Sequence, residues 1–305
     1  MPRSRFSPFL GNRDDFVMGE RVNWRFLSHV DPDMNADLCL RFLGAGNAQS
    51  LDLGNSSAVL ERGGAPLLLI DCGPDTVRQF AHAYNGELPA AAFITHTHLD
   101  HIGGLESLFY LAWFREPRPA HIKLYVPVKL VEWLHKRVAD YPNILAEGGV
   151  NFWDCFQLVP VSEQFWHAGL RFSVFPVRHH EYLSAYGIAL EGRFVFTGDT
   201  RPIPEVLNRY ACRGETVFHD CALKANPSHT GVGDLASSYQ EEQLLRFVLY
   251  HYESRQAGDY MEQMGFRVAR PGERFGLGTG PGGEPGREWR DQPERIRIEE
   301  LGAGS

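Results

Sequence analysis

The chain has 305 residues, 43% of them hydrophobic, which is enough for a sizeable core in one large domain or two small ones. Its formal net charge of -8 argues against a protein whose main task is to bind a nucleic acid backbone. Five scattered cysteines without a Cys-x-x-Cys pair favour a reducing compartment, and no stretch has the pattern of a signal peptide or a membrane span. We therefore expect a cytoplasmic protein without a membrane partner.

The hydrophobic pattern predicts strands that alternate with helices over most of the chain. The predicted strands are 38–43, 58–60, 66–70, 90–94, 122–126, 156–161, 170–177, 185–190, 194–197, 217–218, 247–250 and 266–268. Helices are predicted after Asp71–Asp75, over 104–114 and over 128–138. Two runs of strands, each followed by helices, predict an α+β fold with two sheets packed face to face and helices outside.

The two ends of the chain differ in composition from the centre. Residues 1–36 are rich in Arg, Asp and Pro, and we interpret them as an N-terminal extension. Residues 37–270 form the expected folded domain. Residues 271–305 are rich in Gly and Pro and cannot bury enough apolar surface to fold alone, so a flexible C-terminal tail is expected.

Three histidines and one aspartate lie within six residues, directly after the apolar stretch 90–94. His96 and His98 would share one side of a strand that ends there, because side chains two residues apart point the same way. Asp100 and His101 would follow in the turn. Imidazole nitrogens and carboxylate oxygens are ligands that suit zinc. The segment therefore predicts a metal site rather than a solvated polar loop.

Three later strands also end in residues of metal-ligand type. His179 and His180 end one strand, Asp199 ends a second on a glycine turn, and His251 ends a third. Any one of these residues alone is better explained as structural. Together with the first motif, they predict further ligands of the same site.

The order of these motifs resembles the metallo-β-lactamase superfamily over about residues 38 to 270. Within it, the chain looks most like the ribonuclease Z branch and its small phosphodiesterase relatives. The segments that carry the closer resemblance are Leu43–Gly46 with Asn55–Ser57, His219–Ala222, His229–Thr230 and His251–Arg255. The resemblance implies a four-layer αβ/βα sandwich with a two-metal site at one edge.

The resemblance also implies which residues hold the ions. One ion would be held by His96, His98 and a histidine of the 179/180 pair, and the other by Asp100, His101 and His251, with Asp199 bridging. The choice between His179 and His180 stays open, although the spacing to Tyr186 favours His179. Two zinc ions are expected, and manganese and iron are the alternatives.

The same resemblance implies a hydrolytic mechanism. A hydroxide that bridges the two ions would attack the substrate, so the metal ligand Asp100 also counts among the catalytic residues. His229, oriented by Asp220, would protonate the leaving oxygen. Arg255 and Tyr252 are candidates for substrate binding. The alternatives are a loop histidine for His229, a surface ion pair for Arg255 and a core position for Tyr252.

The expected function is a phosphodiesterase that acts on a small nucleotide-type phosphodiester, for example a cyclic nucleotide. Hydrolysis of a carboxyl ester, lactone or thioester on the same site is the first alternative, and a non-catalytic metal-binding scaffold or sensor is the second. Transfer RNA is not expected as a substrate, because the nineteen residues from His180 to Asp199 leave no room for an RNA-gripping arm. Resemblance alone favours a homodimer.

Overall fold

The computed structural model describes residues 37–140 and 149–278, which form two sheets of seven strands each. The sheets pack face to face and carry helices outside, so the predicted four-layer αβ/βα sandwich is confirmed. The N-terminal extension expected over 1–36 lies outside the described residues, as does the expected tail from 279 onward.

The first sheet contains the strands of the N-terminal half and one strand from near the other end of the chain. Its strands are β1 (Leu38–Gly44), β2 (Ser57–Arg62), β3 (Ala65–Ile70), β4 (Ala91–Phe93), β5 (Ile122–Pro127), β6 (Phe156–Val161) and β14 (Arg274–Gly276). The spatial order is β14-β1-β2-β3-β4-β5-β6. Neighbours are antiparallel from β14 to β3 and parallel from β3 to β6.

The second sheet repeats this arrangement with the strands of the C-terminal half. Its strands are β7 (Gln164–His167), β8 (Leu170–Pro176), β9 (Tyr186–Leu190), β10 (Phe194–Phe196), β11 (Thr216–Asp220), β12 (Phe247–Tyr250) and β13 (Arg267–Val268). Neighbours are antiparallel from β7 to β10 and parallel from β10 to β13. Every residue of β9 to β12 is buried, which explains why β9, β10 and β12 are continuous apolar runs without alternation.

Aromatic rings fill the space between the two sheets. The ring centroid of Phe42 in β1 lies 5.6 Å from those of Phe218 in β11 and Tyr250 in β12. Phe93 in β4 stacks on Phe165 in β7, with centroids 5.8 Å apart. These rings are fully buried, except that of Phe165, which is slightly exposed. The aromatic contacts between the two sheets therefore form the centre of the core.

Short helices connect the strands. They are α1 (Thr76–Ala83), α2 (Leu99–Ile102), α3 (Leu105–Trp113), α4 (Val131–Leu134), α5 (Pro204–Tyr210), α6 (Val232–Ser238), α7 (Glu241–Leu244) and α8 (Arg255–Gln263). Helix α8 begins after Ser254, whose hydroxyl accepts a hydrogen bond from the Ala257 amide and caps the helix. Among the described residues, no helix combines the length and apolarity that a membrane span needs.

Three differences from the expected elements have physical reasons. The helix expected over 128–138 is divided into a 3-10 turn, α4 and a π-helical turn that ends at Ala139. Helices α5 to α7 were not predicted, because each is too short to show a clear apolar period. Helix α8 was also missed, although it is as long as α3, and so was strand β7. Strand β14 lies inside the segment assigned to the tail, and it pairs with β1. The sheet therefore extends past the expected domain limit at residue 270.

We expect Phe275→Ala to destabilise the fold by about 3–5 kcal/mol, because it removes a buried ring in β14. The Phe275 ring lies 5.9 Å from Phe42 and 5.4 Å from Phe218, and its side chain is almost fully buried. Urea unfolding followed by circular dichroism measures the change. Tyr260→Ala on the exposed face of α8 is the control, with an expected change within about 0.5 kcal/mol. If both variants lost the same small amount of unfolding free energy, β14 would not be part of the cooperative fold.

Candidate metal centre

The predicted metal ligands meet at one edge of the sandwich. Strands β4, β8, β10 and β12 all end at this edge, and the ligands follow them in turns or in the one-turn helix α2. Carboxyl ends of parallel strands are a common place for such sites in α/β proteins. The side chains brought together are His96, His98, Asp100, His101, His179, Asp199 and His251.

Three histidine nitrogens form the first group. The Nδ1 atom of His98 lies 3.1 Å from Nε2 of His96 and 3.2 Å from Nε2 of His179. A tetrahedral zinc site with metal–nitrogen distances of about 2.05 Å places neighbouring ligand atoms about 3.3 Å apart. The three nitrogens therefore have the spacing that one ion requires. Of the two adjacent histidines, His179 belongs to this group and His180 does not.

Asp100, His101 and His251 form the second group. The Oδ2 atom of Asp100 lies 3.4 Å from Nε2 of His101 and 3.6 Å from Nε2 of His251. These distances again suit a single ion bound by all three side chains. The mixture of two imidazoles and one carboxylate is an acceptable donor set for zinc, iron or manganese.

Asp199 lies between the two groups, and its Oδ2 atom reaches both. This oxygen is 3.3 Å from Nε2 of His101 and of His251, 3.5 Å from Nε2 of His96 and 3.8 Å from Nε2 of His179. The Nε2 atoms of His101 and His251 and the Oδ1 atom of Asp199 are buried without a hydrogen-bond partner. Unpaired buried polar atoms are costly, and bound cations would satisfy them. The arrangement thus fits two metal ions that share Asp199.

Asp71 orients one side of this cluster, and the sequence prediction missed it. Its Oδ2 atom accepts a hydrogen bond from Nδ1 of His101 at 2.8 Å, and its Oδ1 atom accepts one from the Thr95 amide. The Thr95 hydroxyl also donates to Asp71 and lies 3.1 Å from Nδ1 of His96. Such partners fix the ring orientation and the tautomer of a metal-binding histidine. Asp71 directly follows the apolar strand β3, which is the signal that would have identified it.

Asp220 plays the corresponding part on the other side of the cluster. Its Oδ1 atom lies 3.3 Å from Nδ1 of His251, and its Oδ2 atom accepts a hydrogen bond from Nδ1 of His229 at 2.8 Å. The Thr200 amide donates to the same Oδ2 atom. One fully buried carboxylate therefore orients both a candidate ligand and the candidate acid.

A backbone carbonyl group and two residues with strained backbone conformations also help to position the cluster. Nδ1 of His179 lies 3.0 Å from the carbonyl oxygen of Ser228, to which it donates. Asp71 and His251 both adopt left-handed backbone conformations, with φ angles of 61° and 68°. Non-glycine residues in this region cost free energy and are concentrated at functional sites. The strain here is located at one ligand and at one residue that orients a ligand.

Burial and neighbouring charges shift the pKa values of these groups in opposite directions. Burial lowers the pKa of His96 well below its usual range and that of His179 to about 4, so both imidazoles are neutral and offer lone pairs. Burial would also lower the pKa of His251, but Asp199, Asp100 and Asp220 raise it to about 10. In the second group, the carboxylates thus favour a positive charge, which a metal ion would also supply.

Asp199 stays ionised despite its burial. Burial alone would raise the pKa of its carboxyl group, but the surrounding His101, His251 and His96 hold the pKa well below its usual range. The negatively charged Asp199 oxygen therefore lies among four imidazole nitrogens. Two cations bound between these atoms would be stabilised by its charge.

Two further predicted site residues, His229 and His180, differ in how close they lie to the cluster. His229 lies at the cluster, with its ring centroid 4.8 Å from that of His179 and 4.9 Å from that of His251. His180 is exposed, and its Nδ1 atom is 3.3 Å from the Ser228 hydroxyl.

The two candidates for substrate binding do not point to the cluster. Tyr252 is fully buried and donates a 2.6 Å hydrogen bond to the carbonyl oxygen of Ala269, which is the core position that the sequence offered as the alternative. Arg255 is exposed, and its Nε atom lies 3.5 Å from Oδ2 of Asp52. This is the surface ion pair that the sequence offered as the alternative.

Comparison with known proteins identifies the family. The sequence model of the family described as Anti-Pycsar protein Apyc1 matches residues 38–275. The chain belongs to this family. The Anti-Pycsar protein Apyc1 of Bacillus phage BSP38 is 30% identical over 262 residues, which cover 78% of this chain and 95% of that protein.

Solved structures show which proteins share the fold of this chain. A diphosphatase of the PhnP family has a TM-score of 0.64 at 22% identity, covering 80% of this chain and 99% of that chain. The short form of human tRNase Z has a TM-score of 0.54 at 19% identity, covering 78% and 99%. The metallo-β-lactamase fold protein YhfI of Bacillus subtilis has a TM-score of 0.62 at 14% identity, covering 79% of this chain and 99% of that chain, and this likeness confirms the metallo-β-lactamase fold. The Apyc1-family chain is a metal-dependent hydrolase, as its sequence predicts.

We expect Asp71→Asn to lower the affinity for divalent metal by about 10- to 100-fold, because the amide cannot accept from both His101 and Thr95 as the carboxylate does. Titration of the metal-free protein with zinc against a competing chelator measures this affinity. Asp75→Asn is the matched control, since Asp75 is exposed and pairs with Arg78 on the surface. Unchanged zinc affinity in Asp71→Asn would mean that His101 does not need this partner.

Proposed function

We propose that the chain is a phosphodiesterase that hydrolyses a small nucleotide-type phosphodiester with two metal ions. The observation that carries the proposal is the Asp220–His229 pair beside the candidate metal ligands. Hydrogen bonding of Nδ1 to Asp220 leaves Nε2 of His229 free to donate a proton on the other side of the ring. The side chain of His229 is 20% exposed, so a bound substrate can contact it.

The chemistry of a phosphodiester requires such a proton donor. The leaving group is an alkoxide, which departs slowly from phosphorus unless its oxygen is protonated. Burial would lower the pKa of His229, but the hydrogen bond and charge of Asp220 outweigh it and raise the pKa above its usual value. Asp220 thus favours the protonated imidazole more than water would, which suits a general acid.

The two ligand groups supply the other half of the mechanism. When bound there, divalent ions acidify a shared water and offset the charge that grows on the phosphoryl oxygens. His96, His98 and His179 would hold one ion, Asp100, His101 and His251 the other, and the charged carboxylate of Asp199 would keep both in place. Zinc is our proposal for both positions, and manganese and iron remain the alternatives.

The chain favours a small substrate over transfer RNA. The residues between His180 and Asp199 are occupied by the short loop 181–185 and by β9 and β10, so the structure has no arm at this point. The net charge of -8 also disfavours a long polyanion. A cyclic nucleotide fits both observations. A homodimer and a cytoplasmic location stay predictions from the sequence.

Two other functions remain as alternatives. Esters, lactones and thioesters could be hydrolysed on the same metal centre, but a lactone or thioester has less need of the acid that His229 provides. A non-catalytic scaffold needs neither an exposed acid nor a carboxylate that holds it in place. The Asp220–His229 pair therefore favours the phosphodiesterase.

We expect His229→Gln to lower kcat for a cyclic nucleotide and for bis(p-nitrophenyl) phosphate by about 10²- to 10⁴-fold, with the larger loss on the cyclic nucleotide. The loss is larger there because an alkoxide needs the proton more than nitrophenolate does. Steady-state kinetics of the zinc- or manganese-loaded protein measure the change, and His121→Gln on the surface is the control.

The same assay separates the alternatives. Turnover of p-nitrophenyl acetate or a simple lactone that does not depend on His229, without turnover of any diester, would contradict the proposal in favour of an esterase or lactonase. Two tightly bound ions without turnover of any of these substrates would favour the scaffold.

We expect metal removal to destabilise the fold, because ions bind the native state and shield its buried carboxylates from one another. The melting temperature of the protein as purified is compared with that after dialysis against EDTA, and zinc is then added back. The expected result is a decrease of several degrees that zinc restores. In Asp199→Asn, zinc should restore much less, since both ions lose their shared ligand. Full restoration in that variant would contradict the bridging role of Asp199.

A further inference from the structure

The loop that follows His179 and His180 carries an almost fully exposed aromatic side chain. Tyr182 is 87% exposed, although tyrosine has a large apolar ring that usually packs against other residues. Neither the ligand groups nor the Asp220–His229 pair uses it. The position of Tyr182 in the loop beside the candidate ligands suggests a role in substrate binding.

A tight turn holds Tyr182 outward. The amide and the hydroxyl of Ser184 both donate to the carbonyl oxygen of Glu181, at 3.2 Å and 2.6 Å. Leu183 has a φ angle of 62°, the left-handed conformation that a branched residue rarely adopts, and its side chain packs against the core. Turning Leu183 inward places Tyr182 at the outer corner of the turn.

Both ends of this turn contact the metal-binding motif. On one side, the ring centroid of His180 lies 4.8 Å from that of His98. On the other side, Ala185 forms an isolated bridge with His96, and the Tyr186 amide donates to the carbonyl oxygen of Thr95. Tyr182 is two residues from His180, and two residues span at most about 7 Å. The Cα atom of Tyr182 therefore lies within about 7 Å of that of His180, at the rim of the candidate metal centre.

A second apolar side chain is exposed within the motif itself. Leu99 lies between the candidate ligands His98 and Asp100, and it is 55% exposed. The surface around the charged cluster thus includes apolar groups on two neighbouring segments. This combination fits a substrate with an anionic group for the metal ions and a flat apolar group beside it.

We propose that Tyr182 stacks on the nucleobase of the substrate and so selects nucleotide diesters over diesters without an aromatic group. This inference rests on the proposed phosphodiesterase function and adds the specificity of the same site. Stacking of a base on an aromatic ring is sequence-tolerant, because every base has a π-face. The tyrosine would therefore accept purines and pyrimidines alike, and it acts on binding instead of on the chemical step.

The test compares two substrates that differ only in the base. One is a nucleoside 3′,5′-cyclic monophosphate, and the other is the methyl riboside 3,5-cyclic phosphate, in which a methoxy group replaces the base. We expect Tyr182→Ala to raise KM for the nucleotide about tenfold or more with little change in kcat. The KM for the baseless substrate should not change, and Tyr182→Phe should keep the wild-type values.

Trp166→Ala is the matched control. Trp166 is also an exposed aromatic residue, at 66%, but it pairs with Arg171 at the start of β8, whereas the turn follows the other end of that strand. Its removal should leave both KM values unchanged. Equal effects of Tyr182→Ala on the two substrates, or no effect on either, would overturn the proposal.

A binding measurement keeps the inference separate from the proposed function. The affinity of the metal-loaded protein for a nucleoside 3′,5′-cyclic phosphorothioate, a slowly cleaved analogue, is measured by calorimetry. Tenfold weaker binding in Tyr182→Ala, without hydrolysis of any diester by the wild type, would overturn the phosphodiesterase function and uphold the base contact. Binding that does not depend on Tyr182 would overturn the base contact, whatever the hydrolysis result.

Discussion

The burial of negative charge at the edge of the sandwich is the constraint on which the rest of the site depends. Asp71, Asp199 and Asp220 are each about 1% exposed or less, and Asp100 lies beside them. A carboxylate removed from water is costly unless charged partners and hydrogen bonds compensate it. Histidines provide part of this compensation, and cations would provide the rest. The chain must therefore bring many donors to one place.

The repeated plan of the two sheets provides that place. Each sheet changes from antiparallel to parallel pairing partway along, and the strands next to that change end at the shared edge. The first sheet delivers Asp71 and the motif that begins at His96, and the second delivers Asp199, Asp220 and His251. Each of the two candidate ligand groups, His96–His98–His179 and Asp100–His101–His251, takes residues from both halves of the chain. The packing of aromatic rings between the sheets is thus also what assembles the metal centre.

The sequence indicates the members of this cluster because its candidate ligands are of distinctive types and directly follow apolar strands. Asp71 was missed because a single carboxylate after β3 resembles the start of a helix, and only the folded structure shows its bond to His101. The core position of Tyr252 is not evident from the sequence, because the left-handed conformation of the preceding His251 interrupts the regular alternation of a strand. Strand β14 was missed because its pairing with β1 is non-local and its neighbours are glycine and proline.

The two oxygens of Asp220 link the candidate acid to a candidate metal ligand. One oxygen faces His251, a candidate ligand, and the other holds His229, the candidate acid. Because this carboxylate is fully buried and also fixed by the Thr200 amide, it cannot move toward one histidine without moving from the other. The distance between the candidate acid His229 and the candidate ligand His251 is therefore set by a single rigid group. A phosphodiester, whose attacked phosphorus and leaving oxygen are one bond apart, is a substrate for which such a fixed distance is an advantage.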